Sequence, residues 1–480
     1  MLNIVQAIEK ETAKYGKNTA IIEGERQVTY AQLLEAVDKL SGELKQKGVS
    51  RFSRVAILCN DSIEYILLSL AVLKLYAVAV PVPFGSARDE TAALLKKIKI
   101  NFLVFEQDAY PRKEAPRLNN ALLQKELFIL KFKANKDIPP AFYKINPAFI
   151  RFSSGTTGSN KGVVLSHQAI LQRTAAADKG LKIKPGEKII WVLSMSFHFV
   201  VTILLFLRRG ATIIISSRDF PAGILQNLKR YRATFIYASP LHYHMLTSLN
   251  LPRKLLGRVR MAVSTAIKLP EKIAANFSAQ FGFELAESYG IIEAGLPAVN
   301  VSGKITKRNS VGRLLPDYKI KLVNKDTQGI GEICIKGKGM FDAYFAPWRL
   351  RKELPDGGWF NTGDLGKLDQ DGFLFILGRR KQVINFNGMK IFPFEVESLL
   401  NTHPLVKESL VYGKPHPEYG QLPAARVVLK NNAGREAGVL RDFCYRHLAA
   451  YKVPKEFEFV DRLPRTASGK IKIAMRVKNK

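Results

Sequence analysis

The sequence predicts an α/β protein: a large N-terminal domain of stacked α/β sheets with a β-rich subdomain, followed by a small α+β C-terminal domain. Three observations predict it. The 480 residues exceed what one hydrophobic core usually supports. Helical and strand-like apolar spacings alternate through the first part of the chain. From Gly312 to Gly378 the pattern then shortens into strands parted by glycine turns.

Taken in order, "YAQLLEAVDKLSGELKQKG" (30–48) places apolar residues at helical spacing, and "RVAILCN" (54–60) reads as a strand. A second amphipathic helix and the run "YAVAVPVPF" (76–84) follow, an order that implies parallel strands with helices packed on them. A stretch with Pro and Lys, 125–147, leads into a loop. Beyond it, "IIWVLS" (189–194), "ATIIISS" (211–217), "ATFIYASP" (233–240) and "RVRMAVSTA" (258–266) read as strands of a second sheet with helices between them. The segment "VGRLLPDYKIKLVNKDTQGIGEICIKG" (311–337) carries the short strands and turns of the β-rich subdomain. After "GRRKQ" (378–382) comes a compact segment of mixed strands and helices, so the large domain is expected over 1–378 and the small one over 382–480.

A composition of 47% hydrophobic and 24% charged residues is that of a globular chain and excludes wholesale disorder. Cys59, Cys334 and Cys444 are odd in number and lack metal-ligand spacing, which points to a reducing compartment without disulfides or a zinc site. The opening "MLNIVQAIEKETAKYG" has charges and no long apolar core, unlike a secretory signal, so a cytoplasmic protein is expected. Ile189 to Leu207 carries no charge and reaches the length of a membrane span. Ser194, Ser196 and His198 interrupt it, and a buried strand followed by a buried helix accounts for it better. Tyr65 to Val80, broken by Lys74, reads the same way. The net charge of +33 is spread along the chain. No zinc-finger spacing, RNP-type motif or long basic run accompanies it, so a solvated basic surface is expected and no nucleic-acid partner; peripheral contact with an anionic membrane stays compatible.

The most informative stretch is "FIRFSSGTTGSNKGVVLSH" (149–167), a knot of hydroxyls, glycines and a lysine between two strand-like runs. Ser153, Ser154, Thr156 and Thr157 supply donors, Gly155, Gly158 and Gly162 allow close backbone approach, and Lys161 adds a point charge. These are the parts of a polyphosphate cradle. They do not follow the Walker pattern, because Lys161 is followed by Gly162 and Val163.

Five motifs in fixed order resemble the adenylate-forming enzymes, a family of acyl-CoA synthetases, peptide-synthetase adenylation domains and luciferases. They are "SSGTTGSNKG", with Asn160 where Pro is usual; "ESYGIIEAG"; "FNTGDL"; "GRRKQVINFNGMKIFPFEVE"; and "LPRTASGK". The resemblance implies ATP and Mg²⁺ as cofactors, with Ser153, Ser154, Gly155, Thr156, Thr157, Gly158 and Lys161 at the phosphates. It gives Glu293 to the metal and catalysis, Tyr289 to adenine stacking, and Asp364 and Arg379 to the ribose hydroxyls. Lys470 is implied as the mobile cation that touches both carboxylate and α-phosphate in the transition state. It further implies a mobile C-terminal domain turning about a hinge at 379–381, pivoting at Lys381, which would bring Lys470 for one half-reaction and "NFNGMK" for the next. Gly388 would leave room for the thiol arm, and it is equally an ordinary turn glycine.

His198 resembles the aromatic or His position beside the acyl group, although a lone His in an apolar run is also the pattern of a satisfied core residue. No Asp stands nearby to grip an α-amine, which points to a carboxylic acid without an α-amino group. Ser264 and Thr265 stand where Gly-Gly is common, and their side chains are expected to narrow or reshape the acyl or adenine pocket, which disfavours very long acyl chains. Ile292 replaces a Thr whose hydroxyl reaches a phosphate oxygen, a loss worth about 1.5–3 kcal/mol. The expectation is an AMP-forming acid–thiol ligase with coenzyme A as acceptor. An acidic acyl carrier protein as acceptor, supplied separately because the sequence stops soon after the lysine motif, and a non-catalytic nucleotide-binding homologue stay open.

Overall fold

The computed structural model describes residues 3–110, 115–120, 122–133, 138–152, 161–216, 220–354, 357–430, 436–465 and 471. Its N-terminal part holds two eight-stranded sheets. In spatial order the first runs Gly295–Val299, Ala286–Ile291, Met261–Ser264, Phe235–Ala238, Lys188–Trp191, Thr212–Ile215, Thr19–Glu23, Arg26–Thr29. The second runs Arg349–Leu350, Ala343–Tyr344, Gly162–Ser166, Pro147–Phe152, Val78–Pro81, Arg54–Leu58, Phe102–Glu106, Leu127–Lys131. The central strands of both pair in parallel and antiparallel strands close the ends. Arg54–Leu58, Val78–Pro81 and Phe235–Ala238 are buried throughout, which is why they read as apolar runs without alternation.

Helices fill the space between and around these sheets. Tyr30–Gln46 starts at a capping box in which Thr29 and Gln32 satisfy each other's backbone N–H groups. Ile63–Lys74 is buried from Ile63 to Leu73, apolar nearly all round because both sheets press on it. Its buried Glu64 is paired with Arg26 at 2.8 Å. The charge-free stretch 189–207 is a strand, Lys188–Trp191, followed by Met195–His198, a wide turn of π-helix at Phe199–Ile203 and Leu204–Arg208. Among the described residues no helix is long and apolar enough to cross a membrane.

Two features depart from a simple reading along the chain. The sheets are not filled in succession: Thr19–Glu23, near the N-terminus, pairs in parallel with Thr212–Ile215. The β-rich region is a four-stranded antiparallel sheet of Tyr318–Val323, Gly331–Gly337, Phe360–Leu368 and Leu374–Arg379. Between its second and third strands the chain leaves it, and Ala343–Tyr344 joins the second large sheet against Val163 and Val164. Strand periodicity gives no sign of either choice, because a partner distant in sequence satisfies the same ladder of hydrogen bonds.

The smaller C-terminal domain has five strands, with Gly420–Leu429 pairing Ile384–Phe386, Val406–His416 and Glu456–Phe459, and Met389–Ile391 at the edge. Helices Pro393–Leu400 and Ala437–His447 cover it through Val396, Leu400, Leu440 and Cys444. It meets the rest of the molecule through Lys390 and Asp326 (3.3 Å), Arg380 and Glu332 (2.9 Å), and the Lys268 ammonium 4.5 Å from the centre of the Phe394 ring.

Candidate active site

Asp364 and Arg379 face each other as a register pair on adjacent antiparallel strands. That pairing holds the Arg379 Nε 2.8 Å from Asp364 Oδ1, while Arg379 Nη1 donates to the Thr362 carbonyl at 2.9 Å. Thr362 Oγ1 accepts from the Asp364 backbone N–H at 3.1 Å. From strand Ala286–Ile291, the Tyr289 hydroxyl donates to Asp364 Oδ2. Tyr289 and Asp364 are 8% and 5% exposed, and burial, reinforced by the carboxylate, pushes the phenol well above its ordinary pKa. The structure thus brings three of the sequence-predicted residues into one contact. The carboxylate has about four lone-pair sites, and the two protein donors named here leave room for others.

Glu293 lies in the three-residue turn between Ala286–Ile291 and Gly295–Val299, which the Ile291–Gly295 pair closes. Its carbonyl accepts from Phe341 N at 2.8 Å, and the Tyr344 hydroxyl lies 3.5 Å from its Oε1. On the other side, the Lys161 ammonium sits 4.8 Å from the centre of the Tyr344 ring. Tyr344 therefore joins two predicted residues, and the excursion of its strand into the second sheet is what places it there. Desolvation raises the Glu293 pKa, opposed by the guanidiniums of Arg151, Arg379 and Arg173.

Arg173 holds this turn in place. It is fully buried; its Nε and Nη2 donate to the Gly339 carbonyl at 2.9 and 2.7 Å, and its Nη1 donates to the Ile292 carbonyl at 3.1 Å. Gly339 has φ +71°, and a Cβ there would stand 2.4 Å from Arg173 N. The Ile292 side chain is buried in the main apolar core, so the residue replacing the expected hydroxyl serves packing. As a metal site the turn offers one carboxylate among cations. That suits a Mg²⁺ whose other ligands are phosphate oxygens and water, the usual way this ion binds beside a nucleotide.

His198 ends Met195–His198, its ring centre 6.2 Å from that of Trp191, and its carbonyl accepts from Thr202 Oγ1 at 2.5 Å. Asp61 anchors the start of the same helix by accepting from Met195 N at 2.8 Å. Arg151, at the end of Pro147–Phe152, donates through Nη1 to the Phe197 carbonyl and attracts Glu293 electrostatically. It ties the His198 segment to the Glu293 turn. Sequence reasoning missed Arg151, Arg173, Thr362 and Tyr344; for Arg151 the available signal was a lone cation in the apolar run "FIRF". At the end of Met261–Ser264, Ser264 is fully buried, and its Oγ has no hydrogen-bond partner among the described residues. Thr265 is nearly as buried.

Two predicted residues stand in the C-terminal part. Lys381 is exposed in the turn Arg380–Gln382, and Gly388 is an exposed turn glycine at φ +79° with open space where a Cβ would lie. Ser153, Ser154, Gly155, Thr156, Thr157, Gly158 and Lys470 lie outside the described residues.

Two family models match the chain in sequence order: AMP-binding enzyme over residues 8–345, and AMP-binding enzyme C-terminal domain over residues 395–470. Similar proteins include the 2-succinylbenzoate–CoA ligase of Listeria innocua, 28% identical with 95% of each chain covered. The indoleacetate–CoA ligase of Aromatoleum aromaticum is also 28% identical, over 98% of this chain and 97% of its own. Among solved structures, o-succinylbenzoate CoA synthetase (MenE) from Bacillus subtilis with its acyl-adenylate intermediate aligns with a TM-score of 0.83 at 25% identity, covering 97% of this chain and 96% of that one. ATP-bound MatB from Rhodopseudomonas palustris aligns at 0.82 and 25% identity, over 98% and 97%. With both family models matched in order over most of its length, the chain belongs to the AMP-binding enzymes of the adenylate-forming superfamily.

Proposed function

We propose that the protein is an AMP-forming acid–thiol ligase that adenylates a carboxylic acid lacking an α-amino group and passes the acyl group to coenzyme A. The observation that carries this reading is the Tyr289–Asp364–Arg379 contact close to the Glu293 turn, in a chain matched by both family models. The full-length relatives named above are CoA ligases, which supports coenzyme A over a carrier protein as acceptor.

In the first half-reaction a carboxylate oxygen attacks the α-phosphorus of ATP, and the bond to pyrophosphate breaks. Asp364 and Arg379 receive the ribose hydroxyls, and Tyr289 carries the adenine. Lys161 and the hydroxyls and glycines of 153–158 hold the phosphates, and Lys470 offsets the charge that builds between the two anions. Glu293 would hold Mg²⁺, which supplies charge neutralisation to the phosphates when bound. His198 borders the acyl group, while Ser264 and Thr265 narrow or reshape the acyl or adenine pocket. In the second half-reaction a thiolate attacks the acyl carbon and AMP leaves. The C-terminal domain turns at Lys381 between the two, and Gly388 gives passage to the thiol arm.

The test is acid-dependent ATP–pyrophosphate exchange over aliphatic and aromatic acids, with Lys470→Ala as the control. Exchange with at least one acid, reduced at least about a hundredfold in the control, is expected. ATP binding with no exchange for any acid would replace this reading by a non-catalytic nucleotide-binding protein, with Ile292→Thr as the reversion to try.

A further inference from the structure

Arg151 is a cation whose place in the fold goes beyond supporting the Met195–His198 helix. It stands at the end of strand Pro147–Phe152, where Ile150 and Phe152 pack to one side and Phe149 joins the core between the two sheets on the other. Strand alternation turns Arg151 to the side of Phe149. There its guanidinium meets the Phe197 ring at 5.7 Å and the Phe197 carbonyl, with Tyr65 and Glu293 as electrostatic neighbours. Its Nε–H is buried and has no hydrogen-bond partner among the described residues. A buried, unclaimed donor on a permanently charged group is costly to leave unmade.

A second guanidinium, that of Arg173, acts on it across the same region. Arg173 spends its donors on the carbonyls of Gly339 and Ile292, so its charge adds to that of Arg151 with no carboxylate in hydrogen-bond contact among the described residues. Glu293 attracts both cations, and Asp342 attracts Arg173. A magnesium ion held by Glu293 would engage that carboxylate and weaken its pull on both cations. The region between the Glu293 turn and the His198 segment therefore favours an anion, and the residue next to Glu293 that could have donated a hydroxyl is Ile292, whose side chain points into the core.

We propose that Arg151 is the substrate-binding residue that receives the carboxylate of the acid, using its charge and the Nε–H that has no partner among the described residues to hold the anion beside the nucleotide before adenylation. The proposal rests on the ligase reading given above and adds to it the group that grips the reacting end of the acid. A carboxylate on guanidinium is a charge-assisted, directional contact, stronger than a contact between neutral groups. Its placement at Arg151 leaves the acyl part of the acid toward Phe197 and His198.

The test uses the full-length protein and two readouts. Steady-state pyrophosphate exchange gives separate KM values for acid and ATP; the second readout is the rise in melting temperature on adding each acid of the panel together with AMP. In Arg151→Met the acid KM should rise about ten- to hundredfold with the ATP KM within about twofold, and the acid-dependent melting shift should vanish. Arg151→Lys, which keeps the charge and loses the fork, should fall between, and it carries the test alone if the Met variant does not fold. An acid KM unchanged in a folded variant overturns the proposal and leaves the ligase reading standing. A wild-type protein that neither exchanges nor gains stability with any acid overturns both.

Discussion

Asp364 accepts from Tyr289 and is paired with Arg379 while 5% exposed, so its charge is tied to the placement of both partners, which we propose form the nucleotide site. Asp364→Asn keeps the shape and removes the charge that orders Arg379. The ATP KM should rise about tenfold or more, the loss expected for one charge-assisted pair, with the fold retained. A change below about twofold in the ATP KM of the folded variant would remove Asp364 from the nucleotide site. At this scale the sequence was most legible where a motif carried the residue: Tyr289, Asp364 and Arg379 were all named from their motifs, and they touch. It was least legible where a residue acts through a neighbour. Arg173 and Tyr344 carry no motif of their own, and their roles arise from a carbonyl and a carboxyl that reach them only through the fold.

Among elements, the turn at Glu293 depends on a second turn at Gly339, because one arginine binds the carbonyl oxygens of both. Gly339→Ala would force a side chain onto φ +71° and a Cβ to 2.4 Å from Arg173 N. The cost should be about 3–5 kcal/mol, read as a lower urea midpoint, with activity lost ahead of global unfolding because the Glu293 turn loosens first. A loss under about 1 kcal/mol would mean that the Gly339 turn relaxes without disturbing Arg173. Helices and buried strands were legible here because their periods follow from burial on one face or on all sides. The strand followed by a helix at 189–208 was read correctly for that reason. The short strand Ala343–Tyr344 was not legible, since two residues have no period and its partner at Val163–Val164 is far away in sequence.

At the scale of the molecule, polar contacts among the described residues, Lys390 with Asp326 and the Lys268 ammonium on the Phe394 ring, join the large and small domains, with Arg380 and Glu332 paired at their junction, the kind of interface that permits relative motion. If Lys381 is the pivot, Lys381→Pro, which fixes φ in an exposed turn, should leave pyrophosphate exchange within about threefold and slow thioester formation at least about tenfold. Equal loss in both half-reactions would place the pivot elsewhere. The division into a large and a small domain was legible from length and pattern, whereas the interleaving of the two large sheets was not. That interleaving sets a timetable for synthesis. The strand Thr19–Glu23 leaves the ribosome early, yet its parallel neighbour Thr212–Ile215 follows only after roughly 10–40 s at the usual 5–20 residues per second. Through that interval "TAIIE" is a nascent apolar strand with one side of its hydrogen-bond ladder unclaimed, a natural client for a chaperone that holds chains still being translated.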